Sequence, residues 1–450
     1  MKTKLLRVAF ILLPLIAGIF LGIWQVKPPS ANEDSPAFQR MMYNIERLTA
    51  QPRVVGTIEL EQSRNQIIAE IEDMGLTPIT HFAQYTKDEA IAANRRLRAG
   101  LESRFHNLPD EFTVKNIFVE LESPTTDRGI LLVSHYDSWP GSPGAADAMA
   151  PVAAILEAMR SQAGNENLTN SIFFLITDGE EFGAIGALAF IHDHPELRDR
   201  IDMVINLEAQ GSRGGLILFE TSPQAYSMLD LYRGAVPRPL GFSIMQTIYE
   251  SMYTYTDFCF FREYGWNGIN MAAIEGLEHY HQPTDNYENL NRDTAWHFLT
   301  VTLGFAQYAA DNSLDTLQEQ SSQAVFFPLF PGNMVLLSYA WAYILCILAC
   351  LLALAYFVYE YKNKRKLVSF TNIRILVFVI LSLTITTIFN AGSYLFWLPL
   401  LAMTITAFTR KWEMAYRITQ MASRLIVLLL WVPLVYLTLL FVPFLIPAIS

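Results

Sequence analysis

Hydrophobic residues along this chain of 450 residues fall into three regimes. From Val8 to Trp24 they form one uncharged run behind Lys2, Lys4 and Arg7. From about Val335 onward they return in long blocks, near Val335 to Val358, Ile373 to Phe389, Tyr394 to Phe408 and Leu425 to Leu445. Between these ends the apolar residues come in short runs and amphipathic stretches. The two outer regimes predict α-helical transmembrane segments, since about 20 apolar residues match a bilayer core. Counted from the N-terminal run, the third and fourth segments (Ile373 to Phe389 and Tyr394 to Phe408) are near or below the roughly 17-residue limit for spanning, which leaves a re-entrant hairpin open there.

The middle regime alternates. "LEQSRNQIIAEIEDMG" (Leu60 to Gly75) has helical spacing and a glycine stop. "VKNIFVELE", "GILLVSHYD", "SIFFLITD" and "MVINLEA" read as strands, and "APVAAILEAMRSQ" and "AIGALAFIHDHPEL" read as helices between them. This alternation predicts an α/β domain with a mixed, largely parallel sheet and helices on both faces. The expected division is an anchor over residues 1–27, a folded domain over 28–325 and a membrane domain of about four helices over 326–450, with "DNSLDTLQEQSSQ" as a polar exit.

Charge adds direction to that plan. The gaps "YKNKRK" (Tyr361 to Lys366) and "TRKWEMAYR" (Thr409 to Arg417) are basic, whereas "NAGS" (Asn390 to Ser393) is uncharged. Basic gaps stay cytoplasmic, so the tail is expected to enter from outside and cross four times. The basic tip sends the middle domain to the same outer side. No small-x-small cleavage site precedes Lys27, which favours an uncleaved anchor over a signal peptide. With both ends net positive and the whole chain at −11, the middle is strongly acidic, which argues against nucleic acid and against docking on anionic lipid. Cys346 and Cys350 lie in a tail block and Cys259 stands alone outside it, so no disulfide is expected within the middle domain.

Polar residues collect where the apolar strands end. His135 and Asp137 close one run, Asp178, Glu180 and Glu181 follow "SIFFLIT", Glu208 follows "MVIN", and Asp147 sits beside a Gly-Ala-Ala turn. Singly, each is the kind of residue that caps a helix or ends a strand. Jointly they fall at the carboxyl edge of a parallel sheet, where sites of open α/β folds form. One histidine, several carboxylates and a second histidine from "EHYHQPTDN" (His279 or His281) suit a divalent metal such as zinc. Asp137 stands close enough in sequence to orient His135, and Asp285 to orient His281. The chain has no G-x-S-x-G, P-loop or H-E-x-x-H.

These residues carry a resemblance. The order H-x-D (His135 to Asp137), G-A-x-D (Gly144 to Asp147), D-G-E-E-x-G (Asp178 to Gly183), N-x-E (Asn206 to Glu208) and Y-H-x-x-x-D (Tyr280 to Asp285) resembles metallopeptidase family 28. That group holds aminopeptidase Y and secreted di-zinc aminopeptidases, and the resemblance covers roughly Glu46 to Leu290. It implies two Zn²⁺ ions: His135 and Glu208 on one, Glu181 and His281 on the other, Asp147 bridging. It further implies Glu180 as general base, Asp137 in the catalytic set behind His135, and Asp285 behind His281, with His279 a bystander. "TYTDFCFFREYG" resembles the family's pocket segment, giving Asp257 as a substrate contact and Tyr253 or Tyr255 as a group polarising the carbonyl. Two departures stand out: Ala148 replaces the usual Asn after the bridging Asp, and Asn286 stands where Thr is common.

The activity so implied is hydrolysis at peptide or protein N-termini. An anchor, an outer peptidase and trailing spans, with membrane lipid around them, resemble the endoplasmic-reticulum membrane metallopeptidases. A bacterial inner-membrane protein facing the periplasm fits equally, and the sequon Asn167-Leu168-Thr169 does not decide. Two other classes stay open: glutaminyl cyclases, which share the fold with one zinc, and non-catalytic ectodomains, which lose the ligands.

Overall fold

Seven strands carry the middle of the chain: β1 (Ile79–Thr86), β2 (Glu111–Leu121), β3 (Gly129–His135), β4 (Ser171–Thr177), β5 (Ile201–Ala209), β6 (Arg213–Thr221) and β7 (Gly268–Glu275). The computed structural model describes residues 16–93, 109–250, 252, 254–319 and 321–362, with scattered positions between 421 and 432. The strands lie in the order β1-β2-β4-β3-β5-β7-β6. Pairing is parallel across the four central strands β4, β3, β5 and β7, and antiparallel at both flanks. Every residue of β3, β4 and β5 is buried. That accounts for their near-continuous apolar sequence, since parallel strands have both faces covered.

The helices cover those faces. The principal ones are α1 (Pro36–Leu48), α2 (Ile58–Asp73), α3 (Ala150–Gln162), α4 (Ile185–Asp193), α5 (Tyr226–Ala235), α6 (Phe258–Glu263) and α7 (Arg292–Asp311). Leu131, Val133, Phe173 and Leu175 form one core with Phe190 and Ile191 of α4 and Phe258 and Phe261 of α6. The alternate residues of β3 and β4 point the other way, where α3 and α7 pack on those strands and on each other. Helix starts follow local chemistry: Ser35 and Thr57 accept the N–H groups of Phe38 and Leu60, and Pro151 sits in the first turn of α3.

The register fixes the site. His135 pairs with Thr177, and Val133 with Asn206, so two residues further on His135 and Glu208 stand level on one face of the sheet. The four strands expected from the pattern are present, as are the three helices. The pattern missed β1, β6, β7, α1, α5, α6 and α7. The helix expected through Leu197 stops at Asp193, and a 3₁₀ turn opens at Pro195, whose ring and missing N–H end the α-helix.

The described chain divides into two compact units. One comprises residues 28–240 and 252–321, the other 1–27, 241–251 and 322–450. In the second, β8 (Ala324–Phe330) pairs with β9 (Asn333–Ser338) and leads into α8 (Tyr339–Lys362). Ser243 ties its segment to this hairpin, its hydroxyl donating to the Phe326 carbonyl at 3.1 Å and accepting the Phe326 N–H at 2.6 Å. Among the described residues no helix is long and apolar enough to cross a membrane. Helix α8 is described with gaps in its side chains, and it turns Ile344, Ile347, Leu351 and Leu354 outward. The other three expected tail spans, and the start of the N-terminal run, lie outside the described residues apart from the scattered positions between 421 and 432.

Candidate metal centre

Two triads meet on one carboxylate. His135, Asp147 and Glu208 bring their donor atoms within 4.8 Å of one another, and so do Asp147, Glu181 and His281. Nε2 of His135 lies 3.2 Å from Asp147 Oδ1 and 3.4 Å from Glu208 Oε2. Nε2 of His281 lies 2.9 Å from Glu181 Oε2 and 3.4 Å from Asp147 Oδ2. Each Asp147 oxygen therefore faces a different histidine. Both Nε2 atoms and Glu181 Oε1 are buried without hydrogen-bond geometry to any partner. Buried polar atoms are rarely left so. Imidazole nitrogens and carboxylate oxygens converging in one buried space are what a divalent cation takes up in place of protons, and that donor set suits zinc. The residues fit a metal pair.

Supporting contacts fix these groups. His135 closes β3, and its Nδ1 lies 3.1 Å from the Asp137 carbonyl oxygen and 3.3 Å from the Asp137 carboxylate. That carboxylate accepts the N–H groups of Glu180 and Glu181 at 3.1 and 3.2 Å. Asp137 thus joins the β3 end to the loop after β4, where Gly179 has φ +73, a left-handed turn that only glycine enters freely. Asp285 accepts the N–H groups of Ala146 and Asp147 at 2.9 and 3.2 Å, so it shapes the loop that carries the shared carboxylate. His281 has φ 56, an uncommon conformation for a residue with a side chain. Trp139 stacks on its ring at 4.5 Å between centroids and Tyr280 at 3.7 Å.

The pattern of the sequence gave no sign of Arg53, which is fully buried. Its guanidinium donates to the carbonyls of Tyr136, Leu48, Pro143 and Gly144, and so clamps the loop between His135 and Asp147. Burial pulls its pKa down to about 10, against the fields of Asp137, Asp285, Asp147 and Glu181. A lone Arg in "AQPRVVG" carries no periodic or motif signal, because its partners are backbone carbonyls.

The electrostatics follow from burial. Glu180 belongs to neither triad, and burial, then Glu208, pushes its carboxyl well above the usual range. Burial likewise raises Glu208 and Glu181. Burial opposes the charge of Asp147 as well, but His135 and His281 hold it down to about 2. Burial opposes a charged His281, yet Glu181 and Asp147 raise it to about 9. Asp257 is fully buried rather than open to a substrate; its carboxylate accepts from the Thr177 hydroxyl, and burial, then Glu208, raises it to about 7. Tyr255 donates its hydroxyl to the Glu181 carbonyl at 3.1 Å. Tyr253 lies outside the described residues. His279 ends a 3₁₀ turn and belongs to neither triad.

Comparison with known proteins comes to the same stretch. Residues 116–306 match the model of peptidase family M28. A vacuolar membrane protease of Candida dubliniensis is 27% identical over 285 residues, covering 57% of this chain and 30% of its own. A putative endoplasmic reticulum metallopeptidase 1 of Schizosaccharomyces pombe is 31% identical over 293 residues, covering 62% of this chain and 34% of its own. The chain thus spans about a third of the length of the curated relatives it matches. Among solved structures, an aminopeptidase from Aneurinibacillus sp. strain AM-1 has a TM-score of 0.48 at 14% identity, with 61% of this chain and 94% of that one covered. A glutaminyl cyclase of Fimbriiglobus ruber has 0.46 at 15%, with 62% and 97% covered. These two structural likenesses decide nothing between the two chemistries.

Proposed function

Residues 116–306 are a peptidase family M28 domain, and from that premise we propose that the chain is a membrane-anchored di-zinc aminopeptidase. The observation that carries the proposal is the pair of buried triads sharing Asp147, each with a histidine Nε2 that has no hydrogen-bond partner. His135, Asp147 and Glu208 would hold one ion, and Asp147, Glu181 and His281 the other. When bound, such a pair lowers the pKa of a water and polarises the scissile carbonyl. Glu180 holds the proton that the attacking water gives up and returns it to the leaving amine, a task suited to a carboxyl raised by burial. Asp137 positions Glu180 through its backbone N–H, and Asp285 positions Asp147. Tyr255, held on the Glu181 carbonyl, lines the same loop. The excess of carboxylates suits the ammonium of a peptide or protein N-terminus.

A single-zinc cyclase would need only Asp147, Glu181 and His281. It would leave His135 Nε2 and Glu208 buried without employment, which disfavours that reading. The test is zinc analysis of the purified full chain and its Glu180→Gln variant, each assayed on a panel of aminoacyl amides. Two ions per chain in both, with turnover at least about a hundredfold lower in the variant, is expected. One ion, no amide hydrolysis and cyclisation of glutaminyl peptides would overturn the proposal.

We also propose that this domain faces away from the cytoplasm, in an organelle lumen or a periplasm, with lipid around the apolar ends. The basic loop patterning and the membrane names of the curated relatives support this. In sealed vesicles with the cytoplasmic face outward, impermeant labelling of single cysteines should reach residues 361–366 and spare 163–167 until the membrane is opened; the reverse pattern ends the idea.

A further inference from the structure

Three neighbouring strands break their apolar pattern at one level. Asn206 of β5 pairs in register with Asn270 of β7, and Asn270 with Glu220 of β6. All three are buried, Asn206 and Asn270 completely. Polar groups in a sheet covered on both faces are unfavourable unless they are hydrogen-bonded, and here the bonds form a directed chain. Arg262 Nη1 donates to Glu220 Oε1 at 2.8 Å. Asn270 Nδ2 donates to Glu220 Oε2 at 3.0 Å and to Thr256 Oγ1 at 2.8 Å. Asn206 Nδ2 donates to Asn270 Oδ1 at 3.0 Å and to Glu208 Oε1 at 3.3 Å.

The direction has a cause. An ionised Glu220 only accepts, so it takes the NH₂ group of Asn270 and turns that amide's oxygen toward Asn206. That oxygen in turn takes the NH₂ group of Asn206, whose second hydrogen occupies Glu208 Oε1. Glu208 is left with Oε2 toward His135, at 3.4 Å. Reversing Asn270 would set its oxygen against the Glu220 carboxylate and donor against donor at Asn206, and reversing Asn206 would set its oxygen against Asn270 Oδ1 and Glu208 Oε1. A negative charge three side chains away thereby selects which oxygen Glu208 presents.

We propose that Asn206, Asn270 and Glu220, anchored by Arg262, are positioning residues that hold Glu208 as a ligand of the His135 pocket and set its metal affinity from the far side of the sheet. The proposal rests on the di-metal reading above. Its outer end reaches the surface, since the Arg262 side chain is 29% exposed while that of Glu220 is 6% exposed.

The test is stepwise zinc affinity of the full chain by chelator competition, with unfolding midpoints measured on the metal-free protein. Glu220→Gln can face Asn270 with either a donor or an acceptor, so it removes the direction while keeping the volume. It should weaken the ion at His135 about 10- to 100-fold, the usual effect of outer partners of a ligand. The ion at His281 should be unchanged within about twofold. Arg262→Met, at the exposed end, should weaken the same ion in the same sense, and Arg262→Lys should restore part of it. Equal weakening of both ions, in step with a lowered midpoint, would mean that the ladder only holds the sheet together and would overturn the proposal. Unchanged affinities in both Glu220→Gln and Arg262→Met would overturn it as well. A wild-type chain that binds one ion overturns the di-metal reading itself, a result visible before any variant is made.

Discussion

The two triads share Asp147 but are built from different material. His135 and Glu208 belong to neighbouring parallel strands, and register sets their separation. Glu181 and His281 belong to loops, and their placement depends on the Asp137 carboxylate, on a left-handed residue at 281 and on stacked rings from Trp139 and Tyr280. The His135 side chain is 0% exposed and that of His281 is 12% exposed. The sheet-borne half is the fixed half, buried beneath the edge. The loop-borne half is the one that reaches solvent. Preorganisation of the two triads thus comes from backbone pairing on one side and from side-chain packing on the other.

The largest way to break this contrast is to remove each histidine in turn. His135→Ala and His281→Ala should each lower zinc stoichiometry from two ions to one and sharply reduce amide hydrolysis. The metal-free proteins should differ. His135 stands among Asp137, Asp147 and Glu208 with no solvent to replace it, and breaking such a buried set costs about 3–5 kcal/mol. His281 is partly hydrated, so its loss should lower the unfolding midpoint clearly less. Equal midpoints for the two metal-free variants would erase the distinction between a fixed and an open half.

How much of this was legible in the sequence follows the same line. His135 and Glu208 could be read because each ends an apolar run, and a run that ends on a ligand in two neighbouring strands is a pattern in one dimension. Glu181 follows an apolar run together with Asp178 and Glu180, and His281 stands two residues from His279, so only motif order singled these two out. Asn206, Asn270 and Glu220 could not be joined at all, because β7 inserts between β5 and β6 and that order is not written locally. The antiparallel pairing at the flanks escaped for a related reason. The alternation of strand and helix predicts parallel pairing, whereas β1, β2 and β6 pair antiparallel through contacts that periodicity does not specify.

A buried histidine of the same domain sharpens the comparison by having both ring nitrogens paired. His297 is fully buried in α7; its Nδ1 accepts the Leu216 N–H at 3.0 Å and its Nε2 pairs with the Arg238 carbonyl oxygen at 3.2 Å. Both nitrogens are used in the neutral ring, and a second proton would displace the Leu216 contact. Burial accordingly holds its pKa down to about 4, against an ordinary 6.5. In this pH range the unfolded chain binds the proton first. The stabilisation is therefore complete above about pH 6.5 and is lost as pH falls toward 4, by up to about 3 kcal/mol. In chelator-treated protein, denaturant titrations should show that slope in the wild type and a shallower one in His297→Gln. Parallel slopes would exclude His297 as the source.

The smallest expected effect tests the packing of the open half. Trp139 lies nearly coplanar with the His281 ring, at an interplanar angle of 3°, and Phe182 stacks beyond it at 6.4 Å. Aromatic pairs of this kind are worth about 0.5–1.5 kcal/mol beyond their buried area. That energy opposes rotation of a ligand whose backbone is already in an uncommon conformation. Trp139→Ala should leave the ligand set intact but let the imidazole turn. The ion at His281 should weaken by about two- to tenfold, since 1.4 kcal/mol is a factor of ten, and the ion at His135 should not change. The site-emptied histidine variants assign which titration step belongs to which ion. If Trp139→Ala weakens the His135 ion as much as the other, stacking is not what orders the loop-borne ligand, and the two halves are held by one shared framework.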